Sequence, residues 1–148
     1  MATVDCYIAA APPQVFATLG NGWYYSNWVV GTSHVRAVDE NWPAVGSRIH
    51  HAAGVWPLVA RDETVVEEVE PDRLLVLTAR GRPIGQARVV IELAAEHDGT
   101  RVTMHETPTA GPGRWLHNRA TDSLLTRRNT ESLARLSALA ERRTHPTN

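Results

Sequence analysis

The sequence predicts an α+β fold, in which a curved, mainly antiparallel sheet of seven strands wraps around one long C-terminal helix. Three observations lead to this prediction. Short runs of alternating apolar and polar residues fill the chain between residues 31 and 107, and turn residues separate them. Residues 114–143 contain neither proline nor glycine, which favours one long helix. A strand and a proline-started helix precede both regions.

The N-terminal segment predicts one strand and two short helices. Residues 4–8 alternate between apolar and polar and form the first strand. Prolines suit the first turn of a helix, and apolar residues at helical spacing follow them within 12–19. The Gly-Asn-Gly sequence at 20–22 ends this helix, and residues 23–28 form the second one.

Six further strands are predicted as consecutive hairpins. Their predicted limits are 32–38, 48–53, 58–69, 74–79, 87–93 and 101–106. Turn signals lie between them, among them Pro-Asp at 71–72 and His-Asp-Gly at 97–99. Consecutive hairpins produce an antiparallel sheet. Residues 108–113, rich in proline and glycine, are predicted to be a loop.

The C-terminal helix has to lie across the sheet. A helix of about 30 residues is roughly 45 Å long. Its apolar residues form one stripe, made of Leu125, Leu133, Leu136 and Ala140. The sheet is the only available partner for that stripe. The tail, residues 144–148, is expected to fray.

Length and composition indicate a single domain over residues 1–148. The chain has 148 residues, of which 43% are apolar and 21% charged. No run of about 18 apolar residues occurs, so no integral membrane segment is expected. The N-terminus lacks the features of a signal peptide, and the lone Cys6 cannot form an intrachain disulfide. We therefore expect a cytoplasmic protein.

Missing residue types and motifs exclude several classes of catalytic and binding site. Lysine is absent, which excludes lysine Schiff bases and a Walker-type phosphate loop. Neither a serine-hydrolase elbow nor a dinucleotide-binding glycine motif is present. Cys6 has no obvious base beside it, and no histidine or cysteine pair has the spacing of a metal site. The sequence therefore predicts no cofactor and no metal.

Charge is spread unevenly along the chain. Residues 1–111 hold 8 arginines and 13 acidic residues, whereas residues 112–148 hold 7 arginines and 3 acidic residues. A basic C-terminal helix could contact nucleic acid or an acidic membrane. Its arginines are scattered among acids, so the favoured interpretation is a solvated helix face. The net charge of -1 also argues against nucleic acid as the partner of the whole chain.

Several short segments occur in a characteristic order. A proline-started helix follows the first strand at 11–16, and Trp28 closes the helical insert. The other segments are 42–46, 69–75, 99–103 and 128–133. Over about residues 2–143, this order resembles the START-like superfamily, and within it the polyketide cyclase/dehydrase and lipid-transport group, often called SRPBCC. The resemblance implies a helix-grip fold.

The resemblance also implies a deep cavity between the sheet and the long helix. Members of the superfamily hold lipids, sterols, polyketides or hormones there. Some are aromatase/cyclases, and many only bind or carry their ligand. No motif in this sequence is specific for one of these activities, and a fold does not decide between them.

Strand alternation identifies residues expected to line that cavity. Val89 and Ile91 face the helix from one strand, and Val102, Met104 and Glu106 share a face of the next. Two interpretations of the acidic residue stay open. It is either a cavity acid with a raised pKa, or a carboxylate that meets solvent or an arginine.

A histidine is expected on the same inner face. His51 shares its side of a strand with Ile49, whereas Arg48 and His50 point the other way. An inward histidine could be a general base or a hydrogen-bonding partner of a ligand. The alternative is a core histidine whose hydrogen bonds the protein satisfies.

Five other residues complete the predicted ligand site. Leu77 belongs to an inner strand face, and Asn129 lies on the helix stripe, where it could bond a neighbouring strand or a ligand. Trp28 belongs to the helical insert, Trp56 to a Gly-Val-Trp-Pro loop, and Trp115 to the helix start beside the expected cavity mouth. Aromatic side chains suit a pocket that needs apolar area.

Two functions fit these expectations. The first is a protein that binds or carries a small hydrophobic molecule. The second is a cyclase or dehydratase that acts on a polyketide-like substrate through one or two acid–base groups. The groups to test are His51, Glu106, Asn129 and Arg80, the last with its side of the strand undecided. A third possibility is an interaction module with a basic helix. The chain is expected to be a monomer or homodimer.

Overall fold

The computed structural model describes residues 2–53, 60–81, 85–111 and 119–144. The strands are β1 (Ala2–Ile8), β2 (Thr32–Val38), β3 (Arg48–Ala53), β4 (Ala60–Glu70), β5 (Leu74–Gly81), β6 (Gly85–Glu96) and β7 (Gly99–Ala110). The helices are α1 (Pro12–Leu19), a 3₁₀ turn (Gly22–Tyr24), α2 (Tyr25–Trp28) and α3 (Arg119–Thr144). All strands pair antiparallel in one sheet, in the order β1-β7-β6-β5-β4-β3-β2. The predicted helix-grip architecture is confirmed.

Most predicted limits agree with the structure. β2 and β3 begin and end where the sequence predicts, at 32–38 and 48–53. β6 and β7 are longer than predicted, because their pairing extends to the hairpin turn at one end and, past a register shift at Gln86, to Ala110 at the other. The second short helix divides into the 3₁₀ turn and α2. Parts of four predictions lie outside the described residues: 58–59, 112–113, 114–118 and 145–148.

The loop predicted over 108–113 is wrong at its beginning, because β7 continues through Pro108. This residue still pairs with Ala87 of β6. Proline cannot donate a backbone hydrogen bond, so a strand tolerates it where one neighbouring strand is missing. The described pairing of β1 starts at Ala2, opposite Glu106, so β7 has passed the end of β1 at this point.

The inner face of the sheet is the face that packs against α3. Rows of cross-strand neighbours run along it, and one apolar row comprises Leu75, Ile91, Met104 and Val4. These side chains are buried and belong to one hydrophobic core. Alternation along each strand places every second residue in this core, which is why the sequence pattern predicts it.

The C-terminal part of α3 attaches the helix to this core. Leu133, Leu136 and Ala140 are buried, and the Ser132 hydroxyl accepts a hydrogen bond of 3.1 Å from a backbone N–H that precedes β2. Among the described side chains of α3 that precede Asn129, none is buried. The helix therefore meets the sheet mainly through its second half.

Charged pairs cover the opposite, outer face. Glu63 accepts Arg48 Nη1 at 3.1 Å and Arg80 Nη1 at 3.2 Å, and Glu67 pairs with Arg88 at 3.1 Å. Pairs of this exposed kind each stabilise a fold little. No helix in the described ranges is long and apolar enough to cross a membrane.

Candidate functional site

His51 is buried on the inner face, near the end of β3. Only 3% of it is exposed. Its cross-strand neighbours are Val35 on β2 and Asp62 on β4. The ring of Tyr25, from α2, stacks on its ring with centroids 5.5 Å apart and planes at 22°. Alternation from Ile49 predicts the inward direction, and the structure shows it.

Thr64 joins these two rings through hydrogen bonds. Its hydroxyl oxygen lies 2.9 Å from His51 Nε2 and 3.1 Å from the Tyr25 hydroxyl. Thr64 is fully buried and is the inner-face residue that follows Asp62 on β4. We call Tyr25, Thr64 and His51 the hydroxyl–imidazole chain. It connects a helix to two strands within an apolar core.

The other ring nitrogen of His51 is unpaired. Nδ1 is buried and has no hydrogen-bond partner among the described residues. Burial lowers the pKa of His51 below its ordinary value of 6.5, while the Asp62 carboxylate opposes part of that effect. The imidazole is therefore neutral near pH 7, and a neutral imidazole can accept or donate a proton at Nδ1.

Tyr25 holds its proton firmly. Burial raises the pKa of its hydroxyl, the bond to Thr64 lowers it, and the charge of Glu106 raises it further. Tyr25 is thus a neutral hydrogen-bonding group near pH 7. Its sensitivity to Glu106 and Arg128 also shows that a second polar cluster lies within electrostatic range of the hydroxyl–imidazole chain.

That second cluster joins β7 to α3. Glu106 is 6% exposed, and Arg128 donates from Nη2 to both of its carboxylate oxygens, at 2.5 Å to Oε1. Asn129 donates from Nδ2 to Oε2 at 3.2 Å. Of the two interpretations left open for this acid, the structure places it against an arginine. Of the two for Asn129, it shows the bond to a neighbouring strand.

The apolar candidates within the described residues belong to the core. Exposed fractions range from 0% to 9% for Trp28, Leu77, Val89, Ile91, Val102 and Met104. The Trp28 ring also packs edge-on against Tyr25, with centroids 5.7 Å apart. Trp56 and Trp115 lie outside the described residues. Arg80 points to the outer face, where it pairs with Glu63, so the structure does not bring it to the other candidates.

Neither of two grooves on the described surface is lined by His51 or Glu106. One, of about 460 Å³, lies between the end of α1 and the end of β2, with Trp23 and Trp42 in its wall. The other, of about 680 Å³, lies at the β4–β5 turn. The cavity that the resemblance implies is thus not among these grooves. In the described part of the inner face, packed side chains occupy the position beneath α3.

Three residues of the site are not among those predicted from the sequence. One is Tyr25, which lies three residues before Trp28 and so shares its helix face. Asp62 and Thr64 have the same parity as Val66 on β4, which marks them as inward polar residues. A buried polar residue needs a partner, which was the available signal.

Cys6 is a half-buried thiol at the edge of the core. Its Sγ lies 3.9 Å from the carbonyl oxygen of Leu133. Burial raises the pKa of the thiol, so the reactive thiolate is scarce at neutral pH. The described residues include no group of three histidine, cysteine or acidic side chains that could hold a metal ion.

Comparison with solved structures places this geometry among known folds. A protein from Nitrosomonas europaea aligns with a TM-score of 0.71 and 18% identity, covering 96% of this chain and 94% of that one. A protein from Mesorhizobium loti has a TM-score of 0.71 and 19% identity, over 95% and 96% of the two chains. The di-domain ARO/CYC of the steffimycin biosynthetic pathway has a TM-score of 0.70 and 12% identity, over 96% of this chain and 50% of that one.

Identities this low show the shared fold. No curated protein matches the chain. A family model described as polyketide cyclase / dehydrase and lipid transport matches residues 2–141, which is almost the whole sequence. The seven-stranded sheet, the short helices after β1 and the long α3 all lie within that match. The chain therefore belongs to the polyketide cyclase / dehydrase and lipid transport family.

Proposed function

We propose that this protein binds a small, largely apolar molecule against the inner face of its sheet, beside His51. The inner face carries buried apolar side chains on β5, β6 and β7, and they offer the contact area that such a ligand needs. Membership of a family whose description includes lipid transport supports the same ligand class.

The observation that carries the proposal is the unpaired Nδ1 of His51. A buried polar atom without a partner costs free energy, and such atoms are rare in folded proteins. His51 is two residues from the C-terminal end of β3. The C-terminal ends of β5 and β7 lie at the same end of the sheet.

Charge on the inner face favours an uncharged ligand. Asp62 is buried beside His51, and Glu106 is already paired with Arg128 and Asn129. A buried charge without a counterion is strongly disfavoured. The described inner face offers no free cation to an anionic ligand, so an apolar body with one uncharged polar group fits best.

Native mass spectrometry of the gently purified full chain is the direct test. We expect a co-purifying apolar molecule. Alternatively, the protein should bind the uncharged, fluorescent apolar probe N-phenyl-1-naphthylamine saturably. Leu77→Asp, which places a charge on the inner face, should weaken probe binding at least tenfold. Arg88→Asp, a charge change on the outer face, is the control. A protein that neither carries a molecule nor binds the probe contradicts the proposal.

A second candidate function is acid–base catalysis of the cyclase or dehydrase type. The observation in its favour is the hydroxyl–imidazole chain, in which a neutral imidazole with a lowered pKa is held in position by Thr64. A group of this kind can accept or deliver a proton at Nδ1. Support also comes from the similarity of fold to the steffimycin ARO/CYC.

The two candidates make different predictions for His51→Ala. A catalytic His51 requires that turnover of a polyketide-like substrate is lost while the protein still binds the substrate. A binding His51 requires that affinity changes and that no turnover exists to be lost. Glu106→Gln should change stability in either case, because Glu106 accepts hydrogen bonds from Arg128 and Asn129 of α3.

The location and assembly of the protein belong to the same proposal. We place it in a reducing compartment such as the cytoplasm, supported by the single, half-buried Cys6. A monomer or homodimer is expected in solution, and size-exclusion chromatography with light scattering measures which of them forms. A larger assembly contradicts this part of the proposal.

A further inference from the structure

We infer that the polar group of the ligand at His51 is an uncharged hydrogen-bond acceptor, a carbonyl oxygen, which receives a hydrogen bond from the Nδ1–H of His51. This inference rests on the proposed function and specifies the chemistry of the ligand. It follows from a count of the hydrogens in the hydroxyl–imidazole chain.

Three polar hydrogens serve two hydrogen bonds in that chain. Tyr25 and Thr64 each carry one hydroxyl hydrogen, and a neutral His51 carries one ring N–H. The bonds join Tyr25 to Thr64 and Thr64 to His51 Nε2. Each bond uses one hydrogen, so one hydrogen is always left without an acceptor inside the chain.

The position of the surplus hydrogen depends on the tautomer of His51. If Nε2 carries the ring hydrogen, it donates to Thr64, and the Thr64–Tyr25 bond uses only one of the two hydroxyl hydrogens. A hydroxyl hydrogen and a bare Nδ1 then both lack partners. If Nδ1 carries the hydrogen, Tyr25 donates to Thr64, Thr64 donates to Nε2, and only Nδ1–H lacks a partner.

The second arrangement leaves one unsatisfied buried group instead of two. Because every such group costs free energy, the Nδ1–H tautomer is favoured. Tyr25 and Thr64 then act as positioning residues that fix this tautomer, as hydrogen bonds at one ring nitrogen do for the other. The group left for a ligand is a donor, so the ligand must supply an acceptor.

The charges around His51 favour a neutral acceptor. Buried Asp62 faces it from β4, and its negative charge opposes a ligand carboxylate. Arg36 reaches the backbone oxygen of His51 at 3.4 Å from the exposed edge strand β2, where solvent screens its charge. His50 and Glu63 act on the ring from the outer face with opposite signs. A ketone oxygen meets Nδ1–H without adding a charge to the core.

Three naphthalenes of nearly equal shape test the inference on the full chain: 2-acetylnaphthalene, 2-ethylnaphthalene and 2-naphthoate. We expect wild-type protein to bind the ketone about tenfold more tightly than the hydrocarbon, as one net hydrogen bond allows. The anion should bind most weakly. His51→Phe should remove the preference for the ketone and change the affinity for 2-ethylnaphthalene less than about twofold. His50→Phe, on the outer face of the same strand, should keep the wild-type order.

Different outcomes contradict the carbonyl inference and the proposed function. Equal affinities for the ketone and the hydrocarbon, or tightest binding of 2-naphthoate, overturn the carbonyl inference and leave the proposed function standing. Failure of all three compounds to bind overturns both. The tautomer has its own test that needs no variant: ¹⁵N-detected spectra of the His51 ring in labelled protein should show the hydrogen on Nδ1, and a hydrogen on Nε2 overturns the inference.

Discussion

The rings of Tyr25 and His51 lie stacked with their centroids 5.5 Å apart, and both rings bond the same hydroxyl group, that of Thr64. The first ring comes from α2 and the second from β3. The stack therefore connects the helical insert to the sheet, and it does so through polar atoms in an otherwise apolar core. Two hydrogen bonds form in this arrangement. One buried imidazole nitrogen is left without a partner, which costs free energy but keeps that nitrogen available to a ligand.

Removing the tyrosine hydroxyl should destabilise the protein measurably. Tyr25→Phe keeps the stacked ring and deletes one buried hydrogen bond, and Thr64 can still donate to His51. We expect the free energy of unfolding in urea to fall by about 1 kcal/mol. Tyr7→Phe is the control, since Tyr7 is 39% exposed and should change stability by less than about 0.5 kcal/mol. Equal effects of the two variants would contradict a structural role for the Tyr25–Thr64 bond.

The contact of Glu106 with Arg128 and Asn129 should stabilise the attachment of α3. Glu106→Gln removes the charge from a buried acceptor while Arg128, which is partly exposed, can be hydrated again. We expect a loss of about 1–2 kcal/mol in the free energy of unfolding. The matched control is Glu131→Gln, which breaks an exposed pair with Arg135 on the same helix and should cost at most about 0.5 kcal/mol.

A double-mutant cycle separates the interaction energy of the Glu106–Arg128 pair from the effects of losing either side chain. Combining Glu106→Gln with Arg128→Gln should cost less than the sum of the two single changes, because the second change removes a charge that the first has left unpaired. Strictly additive effects would show that the two side chains do not interact in solution.

Sequence alone could predict the fold and the direction of His51, and the reason is periodicity. Alternation along β3 and β7 fixes which residues share the inner face, and it needs no knowledge of other strands. The hydrogen-bond partners of His51 cannot be predicted from alternation within one strand. Thr64 lies opposite Ile49, and that pairing depends on the register between β3 and β4, which residues 54–59 connect.

The environment of Glu106 shows the same limit. Its place on the inner face follows from strand alternation, but its partner comes from α3, and a helix can rotate and slide over a sheet by several ångströms with the same apolar stripe. Which of the arginines on α3 reaches Glu106 is therefore a result of tertiary packing. The open alternative between a cavity acid and an ion pair could only be decided by the position of Arg128.

The single thiol reports on the integrity of the core. Cys6 is half-buried and faces the backbone of α3, burial raises its pKa, and the charges of Asp5 and Glu141 act in the same direction while Arg101 opposes them. We expect iodoacetamide to modify Cys6 in the folded protein at least tenfold more slowly than in urea, as mass spectrometry of timed samples would show. A thiol that reacts equally fast in both states would place Cys6 in solvent.

The titration of His51 should make the protein less stable in mild acid. Burial holds its folded-state pKa below the value of 6.5 that applies in the unfolded chain, against the opposing effect of Asp62. As the pH falls through 6.5 the unfolded state takes up a proton that the folded state resists, so the free energy of unfolding decreases. Above that pH both states hold a neutral imidazole, and this contribution to the pH dependence disappears.

Urea unfolding between about pH 5 and pH 7 measures this effect, and His51→Phe isolates it. The variant should have a smaller slope of unfolding free energy against pH than the wild type over this interval, whatever its absolute stability. His50→Phe, which removes a one-third exposed histidine from the outer face of the same strand, is the matched comparison. If both variants kept the full wild-type slope, acid destabilisation would arise elsewhere.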